Sequence, residues 1–410
     1  DYTRVIANTL GVQNPDASHI EALHKLGYLP LSIKSLPEGT LVPLRVPMLT
    51  IESTHGFFWL TNYIESLASC ELWQASTSAT LAHEYRKILN AYAMKTVGNT
   101  DFVPFQGHDF SMRGMSSLSS AVASGMGHLL SFVGTDTIPA IQGAEYYYGA
   151  DVQRELVGTS IPATEHSIQC AYGDDMKYLE EMISVKHPTG FVSVVSDGYD
   201  FWDVIGRVIP ALKDKIMARD GKLVIRPDSG DPVLIVCGDP NGETELERIG
   251  AIEALWNIFG GTVSAQGYKI LDSHIGLIYG DAITLSRCKE ICQRLMSKGF
   301  ASINCVYGIG SFTYQFNTRD TFGFALKSTL CVINGIEKQI FKDPKTDDGT
   351  KKSQKGAVAV LERDGEFTLL DGLSLSDNLS ANKLVEIFRD GQLLVDEKFY
   401  NIRERLKCQS

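Results

Sequence analysis

Leu223-Val224-Ile225-Arg226-Pro227-Asp228-Ser229-Gly230 is the stretch on which the fold turns. Its apolar start reads as a short strand buried on both faces, and the proline and glycine that follow end the run. A buried strand whose polar residues come immediately after it is the pattern of a βα barrel, where working groups gather at the C-terminal ends of the strands.

The pattern recurs on both sides of this stretch. Apolar runs at 129–133, 191–195, 275–279 and 303–307, with a weaker one at 160–163, are each followed by a small or charged cluster and then by a stretch with helical character. After Asp281, residues Cys288, Ile291, Cys292 and Leu295 fall at i, i+3, i+4 and i+7, and Gly299 supplies a stop. Cys288 and Cys292 share that apolar stripe; a metal would need further ligands at suitable spacing, so core packing is the reading.

The two ends of the chain have another texture. Pro37-Glu38-Gly39 reads as a turn joining strands at 31–33 and 41–44 into a hairpin, residues 60–94 read largely as helix, and strands are expected at 330–333 and 357–361. The expectation is an irregular βα barrel at 106–327, flanked by a mixed α/β domain assembled from 1–105 and 328–410. The polar, glycine-punctuated segment 343–356 reads as a surface loop, either a solvated connector or a loop facing phosphate.

The strand ends carry Asp136, Glu165 with His166, Asp197, Arg226 with Asp228, Gly280 with Asp281, and Gly308-Ile309-Gly310-Ser311. An Asp or Ser after one strand most often caps the next helix. Six such clusters together point to a site, and the four aspartates Asp136, Asp197, Asp228 and Asp281 with a histidine and an arginine in one mouth suit a hydroxyl-rich, anionic ligand. Gly308 and Gly310 could present backbone N–H groups to a phosphate, although no third glycine completes a dinucleotide fingerprint. His166 reads either as structural or, beside Glu165 and near Asp197 and Asp281, as functional. Ahead of the barrel, Phe110 could stack on a planar heteroaromatic and Arg113 could meet a phosphate.

Composition narrows the partners. With 38 Lys and Arg against 49 Asp and Glu, the formal charge is −11. That balance argues against nucleic acid and anionic membranes, so an anionic ligand needs a local cationic pocket. No apolar run approaches the roughly 20 residues that cross a bilayer, and no secretory signal opens the sequence. The 8 cysteines are scattered, which favours a reducing cytoplasm.

Taken in order, His108-Asp109-Phe110-Ser111-Met112-Arg113-Gly114, Gly134-Thr135-Asp136-Thr137, Pro162-Ala163-Thr164-Glu165-His166-Ser167, Val195-Ser196-Asp197 and Ile225-Arg226-Pro227-Asp228-Ser229-Gly230 closely resemble the nicotinamide phosphoribosyltransferase family of type II phosphoribosyltransferases. The likeness continues through Gly280-Asp281, Thr318-Arg319-Asp320, Phe341-Lys342-Asp343-Pro344 and Lys352-Ser353-Gln354-Lys355-Gly356, nearly the whole chain.

The resemblance implies transfer of a phosphoribosyl group from phosphoribosyl pyrophosphate to nicotinamide in NAD salvage, with Mg²⁺, and a homodimer with active sites at the interface. It also implies roles: Phe110 stacks on the nicotinamide ring, Asp136 accepts from its carboxamide and Arg226 lies beside it. Asp228 binds ribose hydroxyls, Gly280, Asp281, Gly308 and Gly310 surround the ribose phosphate, and Arg113, Arg319 and Lys327 match pyrophosphate contacts. His166 matches the histidine that family members phosphorylate with ATP, with Asp197 and Asp281 as its carboxylate neighbours. An Asp136 that accepts from –NH₂ repels a carboxylate, which favours nicotinamide over nicotinate.

The chain departs from the family pattern in two places. Ile309, Ser311 and Phe312 stand where many members are richer in glycine, and the family's early Asp-Ser-Tyr motif, whose tyrosine stacks on nicotinamide from the neighbouring subunit, is not in this sequence. The expectation is that the sequence begins partway into its first domain. Alternative readings are a nicotinate phosphoribosyltransferase, and a noncatalytic metabolite-binding relative; a Schiff-base aldolase is disfavoured because no barrel strand ends in lysine.

Overall fold

The computed structural model describes residues 2–342, 346 and 353–409. Positions 343–345 and 347–352, which include most of the expected polar loop with Asp343, Pro344 and Lys352, lie outside the described residues. Two compact units are present, one spanning 72–321 and the other combining 1–71 with 322–405. No helix among the described residues is long and apolar enough to cross a membrane.

The larger unit is built on six strands: β1 (Gly107–Asp109), β2 (Gly134–Thr135), β3 (Val192–Val195), β4 (Leu223–Arg226), β5 (Ile275–Tyr279) and β6 (Cys305–Ile309). They pair in the order β2-β1-β6-β5-β4-β3, every pair parallel. All residues of β3 and β4 are buried, as continuous apolar strands covered on both faces must be. The weak stretch near 160 joins the two sheet edges without becoming a full strand. Thr159 bridges Gly134 on the β2 side and Ala163 bridges Ser193 on the β3 side, both in parallel sense. Backbone bonds from Thr135 to Thr159 (2.9 Å) and from Ser193 to Pro162 (2.8 Å) make this segment the stave that closes an irregular barrel.

Side chains from the strands, including Val194, Ile225, Leu277 and Tyr307, share one core with Leu212, Leu255, Ile291 and Leu295 from the surrounding helices. The helix after Asp281 runs Leu285–Ser297 with Thr284 as its cap, and it buries the stripe read from its periodicity: Cys288, Ile291, Cys292 and Leu295. Leu295 is 1% exposed. Its replacement by alanine is expected to lower the unfolding free energy by about 2–5 kcal/mol, measured by denaturant titration, because the cavity cannot fully collapse in a close-packed core.

Three expectations need correction. Residues 129–133 are not a strand: Leu118–Leu129 is a helix, opened by a capping box between Ser117 and Ser120, and the strand begins only at Gly134. Leu129 and Phe132 are buried by the helix end and the turn after it, so an apolar run there required no strand. β6 starts two residues later than the apolar run, which places Gly308 inside the strand. In the smaller unit the turn at Pro37 forms, with Thr40 N–H bonded to the Pro37 carbonyl at 3.2 Å, but Leu31–Ser35 pairs with Leu49–Ser53 instead of 41–44. Pro43 and Pro47 lack the N–H a ladder needs, so pairing resumes only beyond them.

On its other side Leu31–Ser35 pairs antiparallel with Val385–Arg389, so segments from both chain ends build one sheet. Gln392–Leu393 adds to the far side of Val385–Arg389, and two hairpins, Leu330–Ile333 with Ile336–Gln339 and Ala357–Arg363 with Glu366–Leu373, are the other strands of this unit among the described residues.

Candidate active site

Phe110 follows β1, and its N–H bonds to the Ile309 carbonyl at 3.0 Å, so its ring is set across the end of β6. Gly308 makes room for it: a methyl built on Gly308 would lie 2.5 Å and 2.7 Å from ring carbons of Phe110 and 2.9 Å from the Gly280 Cα. The Arg226 guanidinium, from the end of β4, sits 5.8 Å from the ring centroid. Arg226 is 6% exposed, donates through Nη2 to the Thr164 carbonyl (3.1 Å) and lies 3.8 Å from Glu165. Its Nε is buried without a protein partner among the described residues. A buried cation flanking an aromatic ring is suited to a planar polar ligand.

Asp136 follows β2, which lies beside β1 in the sheet. His108 Nε2 lies 2.8 Å from its Oδ1, and the Ser160 hydroxyl donates to the same oxygen at 2.6 Å, which leaves Oδ2 to accept from a ligand. Burial works to raise the Asp136 pKa, but the His108 bond and charge, Ser160 and Arg226 together hold it below the ordinary carboxylate value. Asp136 is therefore an anion near neutral pH and remains one on acidification until the pH falls through that lowered pKa. The His108 and Phe110 ring centroids are 4.9 Å apart.

A second cluster lies at the ends of β3, β4 and β5. His166 opens the helix His166–Tyr172, and its Nε2 is 3.0 Å from Asp197 Oδ1. The His166 side chain is 44% exposed and that of Asp197 only 3%, so an accessible imidazole is backed by a buried carboxylate. Asp197 Oδ2 accepts the Asp228 N–H (2.9 Å) and the Ser229 hydroxyl (2.6 Å), which ties the loop after β4 to the end of β3. Tyr279 of β5 holds the same loop by donating to the Ser229 carbonyl at 2.8 Å. The Asp228 pKa is raised by burial and, against the pull of Arg226 and His166, by the charges of Asp197 and Asp281. Gly280 leaves space for the Asp228 carboxylate, since a methyl there would collide with Oδ1.

The structure thus brings Phe110, Asp136, Arg226, Asp228, Gly280 and Gly308 together, and joins His166 to Asp197. Arg113 lies on the exposed turn Met112–Gly114, where Gly114 abuts Ser311 just past Gly310; nothing falls within 4 Å of a methyl built on Gly310. Arg319 is exposed and bonded to its neighbour Asp320 at 2.9 Å. Lys327 belongs to the other compact unit. Sequence reading assigned no role to His108, Ser160 or Ser229. His108 and Ser229 stood inside quoted motifs, whereas Ser160 carries no local signal; all three become partners only through strand register.

Comparison with known proteins gives this arrangement its kin. The model of the nicotinate phosphoribosyltransferase (NAPRTase) family matches residues 105–392. A nicotinamide phosphoribosyltransferase of Acinetobacter baylyi is 49% identical, over 100% of this chain and 82% of its own length. One of Xanthomonas campestris pv. campestris is 35% identical over 92% of this chain and 79% of its own. Among solved structures, the human nicotinic acid phosphoribosyltransferase superposes with a TM-score of 0.55 at 13% identity, covering 99% of this chain and 81% of that one, which speaks to the fold alone.

Proposed function

The chain belongs to the nicotinate phosphoribosyltransferase family, and we infer that its own reaction is nicotinamide phosphoribosyl transfer, giving nicotinamide mononucleotide and diphosphate. The observation that carries the choice of substrate is Asp136. Its carboxylate is kept ionised by His108 and Ser160, with one oxygen unoccupied among the described residues, so it accepts from a carboxamide –NH₂ and repels the carboxylate of nicotinate.

In this reading the pyridine ring lies against Phe110 with Arg226 beside it, and Asp228 takes the ribose hydroxyls. The C1–O bond of phosphoribosyl pyrophosphate breaks, the electron pair leaves with the diphosphate, and the pyridine nitrogen lone pair forms the new bond to C1. No protein nucleophile is required, and a fixed ring supplies orientation. Asp281, Gly280, Gly308 and Gly310 surround the ribose phosphate, with Arg113 and Arg319 as pyrophosphate contacts. Mg²⁺ would supply charge neutralisation at the diphosphate. A magnesium that arrives with substrate phosphates needs only one or two protein carboxylates. Asp228 and Asp281, close enough that their mutual repulsion helps raise the Asp228 pKa, fit that demand.

ATP belongs to the same proposal. Asp197 holds Nε2 of the accessible His166 ring, so Nδ1 is the atom left to take a phosphoryl group. Two further parts of the reading have structural support. Phe312 and Phe316, stacked at 5.3 Å and 54% and 78% exposed, lie just past Gly310 and offer apolar surface for a homodimer whose sites lie at the interface. All eight cysteines are unpaired, in keeping with a reducing cytoplasm.

The test is a parallel assay of nicotinamide and nicotinate with phosphoribosyl pyrophosphate and Mg²⁺, following mononucleotide by chromatography. The wild-type protein is expected to use nicotinamide. Asp136→Ser should lower the preference for nicotinamide over nicotinate by roughly tenfold or more, since like-charge repulsion costs several kcal/mol. Efficient turnover of nicotinate by the wild type would overturn the reading.

A further inference from the structure

We propose that Arg287 is a positioning residue that clamps the loops carrying Asp281 and Asp228 into their working arrangement. The proposal rests on the reaction above and assigns a residue that neither the strand-end pattern nor the site cluster includes.

Gly280-Asp281-Ala282-Ile283-Thr284 connects β5 to the helix Leu285–Ser297. Ala282 has φ 52° and, among the described residues, is the only non-glycine with positive φ between 72 and 321. This left-handed region is disfavoured for a residue with a Cβ, and alanine has no polar side chain to offset the strain as asparagine or aspartate would. Such a conformation persists only where its surroundings over-determine it. Here they do. The Arg287 Nη1 donates to the Ala282 carbonyl at 2.6 Å, while the next carbonyl, that of Ile283, accepts from the Tyr85 hydroxyl (3.2 Å) and Thr313 Oγ1 (2.9 Å).

The other arm of the guanidinium reaches the second acidic loop. Arg287 Nη2 lies 4.0 Å from Asp231 Oδ2, and Asp231 Oδ1 accepts the Val233 N–H at 2.8 Å, which caps the helix after the Asp228 loop. One planar, forked cation therefore spans two loops whose carboxylates, Asp228 and Asp281, repel each other. Lysine has the charge but not the fork. Removing Arg287 leaves the Ile283 anchor and the Asp231 cap on Val233 intact, so the loss should fall mostly on the placement of Asp281 and Ala282, which the shorter of the two contacts holds.

The experiment compares wild type, Arg287→Ala, Arg287→Lys and the double variant Arg287→Ala with Ala282→Gly. Kinetics are run with each substrate varied in turn, and unfolding midpoints are measured alongside. Arg287→Ala should lower kcat/KM for phosphoribosyl pyrophosphate about tenfold, the equivalent of roughly 1.4 kcal/mol, with the KM for nicotinamide little changed. Arg287→Lys should fall between the two. Ala282→Gly should restore most of the loss, because glycine adopts this φ without a clamp. Unchanged kinetics in Arg287→Ala, an equal rise in both KM values, a fall in midpoint alone, or no recovery with Ala282→Gly would overturn the proposal. A wild-type enzyme that forms no mononucleotide would overturn the reaction itself, and the clamp with it.

Discussion

Gly308→Ala is expected to cost about 10²-fold in kcat/KM for nicotinamide, with the fold intact by circular dichroism. The added methyl would stand 2.5 Å from one Phe110 ring carbon and 2.9 Å from the Gly280 Cα, both well inside van der Waals contact. The backbone of Gly280 cannot move without shifting β5, so the ring must yield. The His108 ring at 4.9 Å and the Arg226 guanidinium at 5.8 Å already crowd it, so it yields only by leaving its present place. A displaced ring loses the surface on which the pyridine is oriented, and misplacement by about 1 Å is enough for a loss of that size. Steady-state kinetics on the purified variant check this; a value near wild type would mean that Phe110 does not form the wall of the nicotinamide site.

Asp197→Ala should do more damage than His166→Ala, although His166 is the residue for which we propose the chemical role. Removing His166 deletes one partner of Asp197 and should abolish only the ATP-stimulated part of the rate. Removing Asp197 frees the imidazole and also leaves the Asp228 N–H and the Ser229 hydroxyl without their acceptor. The part-buried Asp228 N–H loses its acceptor, at a cost of up to about 1–3 kcal/mol, whereas the exposed Ser229 hydroxyl can turn to water; the loop that presents Asp228 loses its tie to β3. We expect roughly a 10²-fold fall in the rate without ATP for Asp197→Ala, against little change for His166→Ala. Equal behaviour of the two variants with and without ATP would show that Asp197 serves the histidine alone.

Local rules reached far along this chain. The apolar run at 275–279 coincides with β5, and the i, i+3, i+4, i+7 stripe from Cys288 to Leu295 is buried as its spacing requires. Both depend on neighbours within a turn or a strand, where side-chain period reports burial directly. Gly107–Asp109 is a strand that no such period could reveal, because three residues with a histidine and an aspartate have no apolar pattern. The run at 129–133 misled for the converse reason, since burial under a helix end selects the same residue types as burial in a sheet. The stave at 159–164 is held by isolated bridges to two different edges, so its pairing is set by the curvature of the whole sheet.

The same division runs through the site. Residue order alone determined which chemical groups the barrel mouth would hold, because a parallel strand delivers the residues after its C-terminal end to one rim whatever its neighbours are. Which groups touch was decided only in three dimensions. His108 meets Asp136 across 28 positions, Ser160 meets the same oxygen across 24, and Ser229 meets Asp197 across 32. Those contacts depend on the register of parallel neighbours and on the closing stave, and register is a property of long-range hydrogen-bond pairing that no window along the chain contains.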